Sequence, residues 1–151
     1  MHKPVTLPAI LILVIYTVVL SLPVTGAGGE VTSPAEITKV VKGAVECTEW
    51  MRANTEQEVN SILSRYYTGK ALEENTKSVW EFVKLPTDWH SITTAEDCEI
   101  IYQDKNMAVV KARLTDTDEL DKDTQKGTAL FFLTATEDGW RIYAQNYQWH
   151  W

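Results

Sequence analysis

The sequence predicts an exported α+β domain in which N-terminal helices pack on a curved antiparallel sheet. Apolar residues recur at intervals of three and four between residues 34 and 83, which is typical of amphipathic helices. From residue 89 onward apolar and polar residues alternate, as in half-buried strands. Helices followed by a run of strands indicate a layered α+β architecture. The uncharged start of the chain, residues 4–29, predicts export.

The N-terminal segment has the features of a secretory signal peptide. His2 and Lys3 precede an apolar run, Ala9–Leu22, and Pro23 then breaks the helix. Such a run needs only about 7 to 15 residues, whereas a membrane-crossing helix needs about 20. We expect cleavage after Ala27, which leaves an extracytoplasmic, secreted or cell-surface protein.

Residues 28–33 are then a short linker and residues 34–151 a single domain. The alternative is retention of residues 7–24 as an anchor, which makes the chain a single-pass membrane protein.

The charge of the chain excludes several classes of partner. Its 151 residues carry 14 Lys+Arg against 21 Asp+Glu, a formal charge of −7. An acidic surface disfavours nucleic acid, whose phosphates require basic side chains. It also disfavours anionic lipid, so we expect membrane contact only if the N-terminal helix is retained. The chain has no phosphate-binding glycine loop and no His-Glu-x-x-His motif, and we expect no cofactor.

Cys47 and Cys98 are the two cysteines of the chain. Outside the cytoplasm such a pair usually forms a disulfide, and closing a loop of about 50 residues would stabilise the fold by about 4 kcal/mol. The alternative is a pair of reduced thiols that pack as small hydrophobic side chains. We predict the disulfide.

Three helices are predicted in the first half of the domain. The first begins at Ser33, which can accept the amide of Glu36, and its apolar positions run from Ile37 to Met51. The second begins at Asn54 and ends at Gly69, a residue suited to a helix C-terminus.

The third predicted helix spans Lys70–Val83, with Leu72, Val79 and Trp80 facing inward, and Leu85-Pro86 ends it.

Strands are predicted in the second half, separated by a polar loop at Asp116–Gly127 and a tight turn at Glu137–Gly139. The run Leu130–Leu133 is apolar on both faces, as in a central strand. A curved sheet covered by helices leaves a cavity or cleft between the layers. The predicted strands are Trp89–Thr94, Cys98–Gln103, Met107–Thr115, Thr128–Thr136 and Trp140–Trp151.

Three residue patterns resemble one known family. They are Ser64-Arg-Tyr-Tyr-Thr-Gly69, the strand Ala108–Leu114 and the closing turn and strand Glu137–Tyr143. Together they are similar to the nuclear-transport-factor-two-like (NTF2-like) superfamily, also called the cystatin-like α+β cone, over most of residues 34–147. The resemblance implies a cone-shaped fold. It also implies a choice among small-ligand binders, protein-interaction modules and enzymes of the SnoaL-like polyketide-cyclase and dehydratase type.

His90 and Asp88 are the candidate catalytic residues, because enzymes of the family use His and Asp side chains that point into the cone. His90 could act as a general base with Asp88 if both face a pocket. The alternative, which we favour, is an ordinary strand or loop histidine, since the pair matches no catalytic motif of the family.

The acidic run from Asp116 to Asp123 is a second candidate site. Calcium binds six to eight oxygen ligands, and four side chains of this run could supply several of them. The run lacks the central glycine and spaced glutamate of an EF-hand, so we favour a solvated loop. The candidate ligands are Asp116, Asp118, Asp121 and Asp123.

The C-terminal aromatic residues Tyr147, Trp149 and Trp151 alternate, so a strand would project all three to one side. There they could stack on a ligand or partner, together with Tyr66 and Trp80 of the helices, or they could close the core. We favour core packing.

The sequence therefore predicts a non-catalytic binding module that works outside the cell membrane. It would hold a small ligand in the cone or a protein on the sheet, where a homodimer is also expected. The alternatives are the cyclase-type enzyme and a membrane-anchored assembly component.

Overall fold

The computed structural model describes residues 33–86 and 89–150. The predicted signal segment, its cleavage site, Asp88 and Trp151 lie outside the described residues. Three helices precede four strands, and a short 3₁₀ turn, Glu49–Arg52, follows the first helix. The elements are α1 (Pro34–Glu46), α2 (Glu56–Leu63), α3 (Gly69–Val83), β1 (Ser91–Gln103), β2 (Met107–Asp118), β3 (Thr124–Thr136) and β4 (Gly139–His150).

The strands form one antiparallel sheet in the order β1-β2-β3-β4, which confirms the predicted α+β class. The two strands predicted at Trp89–Thr94 and Cys98–Gln103 are wrong, because β1 is continuous. Register shifts at Glu96 and Ile101 interrupt its pairing with β2 without ending the strand. A bulge of this kind breaks the alternation that a sequence pattern relies on.

The predicted helix starts agree with the structure in position and differ in detail. The Ser33 hydroxyl accepts the amide of Ala35 at 3.2 Å rather than that of Glu36. At α2, Thr55 accepts the amide of Glu58 at 3.1 Å, and the Glu58 carboxylate accepts the amide of Asn54 at 2.6 Å. These reciprocal bonds satisfy amides that a helix leaves without partners.

The predicted helix ends need correction. The first helix stops at Glu46, and Met51 lies in the 3₁₀ turn. The second stops at Leu63, while Gly69 opens α3 with φ +56°. Glycine adopts this left-handed conformation at no steric cost, so the residue marks a boundary as predicted, but it begins the next helix.

The core lies between the helices and one face of the sheet, which we call the concave face. Alternate strand residues point to it, because successive side chains of a strand lie on opposite sides. Ile37 and Val41 of α1 and Val59 and Leu63 of α2 cover it. Its fully buried strand residues are Ala108, Val110, Ala112, Leu114, Phe131, Leu133 and Ile142.

The polar loop is shorter than predicted. Asp116 belongs to β2, and Gln125 and Gly127 belong to β3, so the connection is only residues 119–123. The Asp116–Gln125 pair continues the ladder beyond the predicted strand ends. Polar side chains in these positions make the strand ends resemble a loop in the sequence, because side chains on one face of the sheet are exposed to solvent.

The predicted disulfide is absent, because Cys47 and Cys98 are both free thiols. Cys98 lies on β1 opposite Ala112, and burial raises the pKa of its thiol. Cys47 caps the end of α1, and its carbonyl accepts the indole N–H of Trp50 at 2.6 Å. The two cysteines therefore belong to different elements and have different neighbours. Within residues 33–86 and 89–150 no helix is long and apolar enough to cross a membrane.

Candidate functional site

Tyr147 occupies the concave face. Its ring meets that of Phe131 edge-on, with centroids 5.6 Å apart. Phe131 is fully buried, and Tyr147 sits opposite Ala129, whose small side chain leaves room for the ring. An edge-to-face pair of this kind adds about 0.5–1.5 kcal/mol to the burial of the rings. Tyr147 thus fills part of the space in which a cone would hold a ligand.

The hydroxyl of Tyr147 points inward although 38% of the residue is exposed. It lies against the hydroxyl of buried Tyr67 and 3.5 Å from Oε1 of Gln145, whose amide donates to Asn75 of α3 at 3.1 Å. Burial disfavours a phenolate and raises the pKa of Tyr147 to about 12, and it raises the pKa of Tyr67 well above its usual range. Both phenols therefore stay protonated, and the Gln145–Asn75 hydrogen bond joins β4 to α3.

Trp149 covers the concave face at the next position of β4 that points to this face. A methyl group on Gly127 would come within 2.6 Å of the Trp149 ring, so the indole lies directly on the glycine backbone. Gly127 and Trp149 are cross-strand partners. The structure therefore places Tyr147 and Trp149 on the same side of β4. Trp149 packs against the core, and Tyr147 contacts it through Phe131. Trp151 lies outside the described residues.

Tyr66 has a packing role. A methyl group on Gly43 would lie 2.5 Å from the Tyr66 ring, so the ring rests on the backbone of α1. Arg65 lies 5.5 Å from the centre of this ring and forms an ion pair with Glu49 at 2.8 Å. The Glu49 carboxylate raises the pKa of Arg65.

Trp80 lines a groove of about 530 Å³ between α2 and α3. The other lining residues are polar, and Asn60 donates to Thr76 at 3.2 Å across the groove. A second groove of about 240 Å³ lies beside Arg52 and Ile62. Residues of the helical layer and its connections line both grooves, so neither is the cavity predicted between helices and sheet.

His90 lies just before β1, where its carbonyl accepts the amide of Glu119 at 2.7 Å. The imidazole is near enough to the Asp118 carboxylate to lower the pKa of that group, although backbone amides are the larger cause. His90 thus joins the start of β1 to the β2–β3 connection. Its pairing with Asp88 stays a prediction.

Asp116 and Asp118, two of the candidate metal ligands, accept hydrogen bonds from different parts of the chain. Asp116 lies on the concave side and accepts the hydroxyls of Ser91 and Thr93. Asp118 accepts the amides of Leu120 and Asp121 at 2.7 and 3.1 Å, which lowers its pKa. Within the described ranges no three His, Cys, Asp or Glu side chains are grouped to hold a metal ion.

The face of the sheet turned away from the helices, which we call the outer face, carries an apolar row. Tyr102, Val109, Phe132 and Ala144 are successive cross-strand partners, so the row crosses all four strands. Tyr143 joins it, with its ring 6.4 Å from that of Phe132. Tyr102 is 52% exposed. Contiguous apolar surface of this kind is a common feature of protein–protein interfaces.

Charged side chains lie beside the apolar row on the outer face, acidic on β1 and basic on β2. Asp97 and Glu99 belong to β1, and their direct partners on β2 are Arg113 and Lys111. Arg113 and Asp97 form an ion pair at 3.3 Å. The outer face is therefore mixed in charge, apolar at one end and polar at the other.

Sequence reasoning missed the outer face. Val109 falls between Ala108 and Val110 and is on the polar side of β2, and Phe132 follows the buried Phe131. Both belong to runs of consecutive apolar residues. Such a run places apolar side chains on both faces of a strand, so it indicates apolar residues outside the core. The sequence alone does not show which strands lie side by side, so the row could not be assembled from it.

No protein-family model matches the chain, and no curated protein matches it either. Solved structures do. The intermembrane-space region of the chloroplast protein ARC6 is 13% identical, with a TM-score of 0.51, over 79% of this chain and 98% of that one. A protein with a cystatin-like fold from Nostoc punctiforme is 11% identical, with a TM-score of 0.56, over 77% and 90%.

An NTF2-like protein from Shewanella oneidensis is 16% identical, with a TM-score of 0.50, over 75% of this chain and 96% of that one. These identities show the fold alone. Three helices followed by a four-stranded antiparallel sheet, together with these likenesses, give this chain the NTF2-like, cystatin-like α+β fold.

Proposed function

We propose that the chain is a non-catalytic binding module that works outside the cytoplasm and assembles with a second copy of itself through the outer face of the sheet. The observation that carries this proposal is the apolar row Tyr102-Val109-Phe132-Ala144, which crosses every strand on the solvent side. Side chains of the chain itself cover the concave face, so we assign the partner to the outer face.

The size of the outer face fits a second copy. Strands are about 4.8 Å apart and rise about 3.3 Å per residue, so four strands of 12 or 13 residues make a face of roughly 800 Å². A standard protein interface buries about 800 Å² on each partner. A face with acidic side chains on β1 and basic ones on β2 can meet its own copy under two-fold symmetry without a like-charge penalty.

Sedimentation velocity of the full chain tests this assembly. We expect a dimer at tens of micromolar, and a monomer for Phe132→Glu and for Tyr102→Glu, because each substitution places a charge in the row that the dimer would bury. Tyr102 is 52% exposed, so its variant should fold normally. Leu120→Glu, at another exposed apolar residue, is the matched control and should remain dimeric. A wild-type monomer, or a dimer that survives both substitutions, contradicts the proposal.

The location rests on the uncharged N-terminal segment. Mass spectrometry of the protein recovered from its source measures the mature N-terminus. We expect a chain that begins at Gly28, whereas an intact Met1 would contradict cleavage.

A further inference from the structure

We propose that the groove between α2 and α3, which we call the Trp80 groove, binds a neutral polyhydroxylated ligand such as the end of an oligosaccharide. It lies in the helical layer, on the opposite side of the sheet from the outer face. The proposal is therefore independent of the assembly proposed above, and either can fail alone.

The volume of the Trp80 groove suits a small ligand. Its volume is about 530 Å³, within the range of about 300–1,000 Å³ that is typical of small-molecule sites. One wall is Trp80, a half-buried indole that packs against the core and is therefore held in place. Lys84 lies 5.8 Å from the ring centre and pairs with Glu81 at 2.7 Å, which adds a further restraint.

The polar lining decides the class of ligand. Asn60 and Gln57 present carboxamides, and Thr76 presents a hydroxyl, so the groove offers both donors and acceptors. The Asn60–Thr76 hydrogen bond of 3.2 Å fixes two of these groups before a ligand arrives. An aromatic face beside convergent hydroxyl and amide groups matches a sugar ring, which has apolar C–H faces and a rim of hydroxyls.

The charges of the groove argue against other ligands. Glu56 is the charged residue of its lining, so a phosphate or carboxylate would be repelled. The start of α2 is not open to an anion either, because Thr55 and Glu58 already bind the amides of Glu58 and Asn54. Trp80 is the sole large apolar residue of the lining, which is too little for a lipid.

Titration of the ¹⁵N-labelled full chain with maltotriose and with tri-N-acetylchitotriose tests the site. We expect at least one of the two to move the indole N–H peak of Trp80 and the carboxamide peaks of Asn60, with a millimolar dissociation constant. Trp80→Ala should weaken binding at least tenfold. Trp89→Ala removes an exposed indole outside the groove and is the matched control.

Trp80 contacts the core, so its variant could lose stability; Gln57→Ala is the second variant. Gln57 is exposed, and its removal should weaken binding severalfold with no change in thermal stability. Saccharide titrations to tens of millimolar that leave both side-chain peaks unmoved overturn the proposal. Equal loss of binding in the Trp80 and Trp89 variants also overturns it, as do peaks that respond to inorganic phosphate and to neither saccharide.

Discussion

The two faces of the sheet are built from the same four strands but differ in burial. On the concave face Val110, Phe131 and Leu133 are fully buried beneath the helices. On the outer face their neighbours Val109 and Phe132 are half-buried, and Tyr102 is more than half exposed. Burial of the concave face therefore stabilises the fold, whereas the outer face leaves apolar side chains partly exposed.

This division differs from the usual expectation for a cone, in which the interior is the binding site. Here Tyr147 and Trp149 of β4 occupy that interior, supported by small residues at Gly127 and Ala129. Both binding surfaces that we propose therefore lie outside the core. Five experiments would break or sharpen the contrast between the faces.

The largest expected effect comes from the adjacent pair Phe131 and Phe132, which tests the contrast directly. Phe131→Ala leaves a cavity in a fully buried position and should lower the free energy of unfolding by about 3–5 kcal/mol. Phe132→Ala on the outer face should lower it by about 1 kcal/mol or less at concentrations where the chain is monomeric. Urea denaturation measures both, and equal losses would erase the distinction between the faces.

Gly127→Ala tests the packing that closes the concave face. The added methyl group would lie 2.6 Å from the Trp149 ring, so the indole must move. We expect a loss of about 1–3 kcal/mol by urea denaturation. Combining the change with Trp149→Ala should recover most of the added loss; independent, additive losses would show that the ring does not rest on this glycine.

Alkaline titration tests whether the Tyr147 hydroxyl is buried. Its pKa of about 12 exceeds the ordinary value of 10, so its contribution to stability is full below pH 10 and is lost as pH rises toward 12. Tyr147→Phe should flatten this alkaline decline in melting temperature, with a remaining slope from Tyr67. Ordinary titration of every tyrosine near pH 10 would place Tyr147 on the surface.

Acid titration gives the corresponding test on the outer side. Tyr102 donates to Asp104 at 2.7 Å and, with the amides of Asn106 and Met107, lowers the pKa of that carboxyl below its ordinary 3.8. Its contribution to stability is therefore present above that value and is lost as pH falls through the lowered pKa. Asp104→Asn should lower the melting temperature at neutral pH and lose this difference in acid. A difference independent of pH would contradict the assignment.

The smallest effect is expected at the Arg65–Glu49 ion pair. Both side chains are largely exposed, and such pairs contribute about 0–1 kcal/mol. Glu49→Gln should change the melting temperature slightly, and added salt should abolish the difference. A large, salt-independent loss would mean that this edge belongs to the core.

Much of the fold could be predicted from the sequence because local signals coincide with element boundaries. Caps at Ser33 and Thr55 begin helices, and the turn at Glu137–Gly139 ends β3. The errors lie where a local signal has two structural uses. Gly69 marks a boundary but begins α3, and Asp116 reads as a loop residue but lies in β2.

The candidate site was harder to predict because it depends on contacts between distant segments. Trp80 was identified as a candidate, but its neighbour Asn60 was not, since only the packing of α2 on α3 joins them. The two cysteines have spacing that suits a disulfide. Their separation follows from the orientation of α1 over β1, which no spacing records.

By itself the sequence determined the class of the fold, the caps of its helices, the acidic charge and the apolar N-terminal segment. These are properties of neighbouring residues, and periodicity and composition report them directly. Tertiary structure alone decided that Tyr147 and Trp149 pack on the concave face and that an apolar row crosses the outer face. The physical reason is that both depend on strand register, which sets which residues of separate strands share a face.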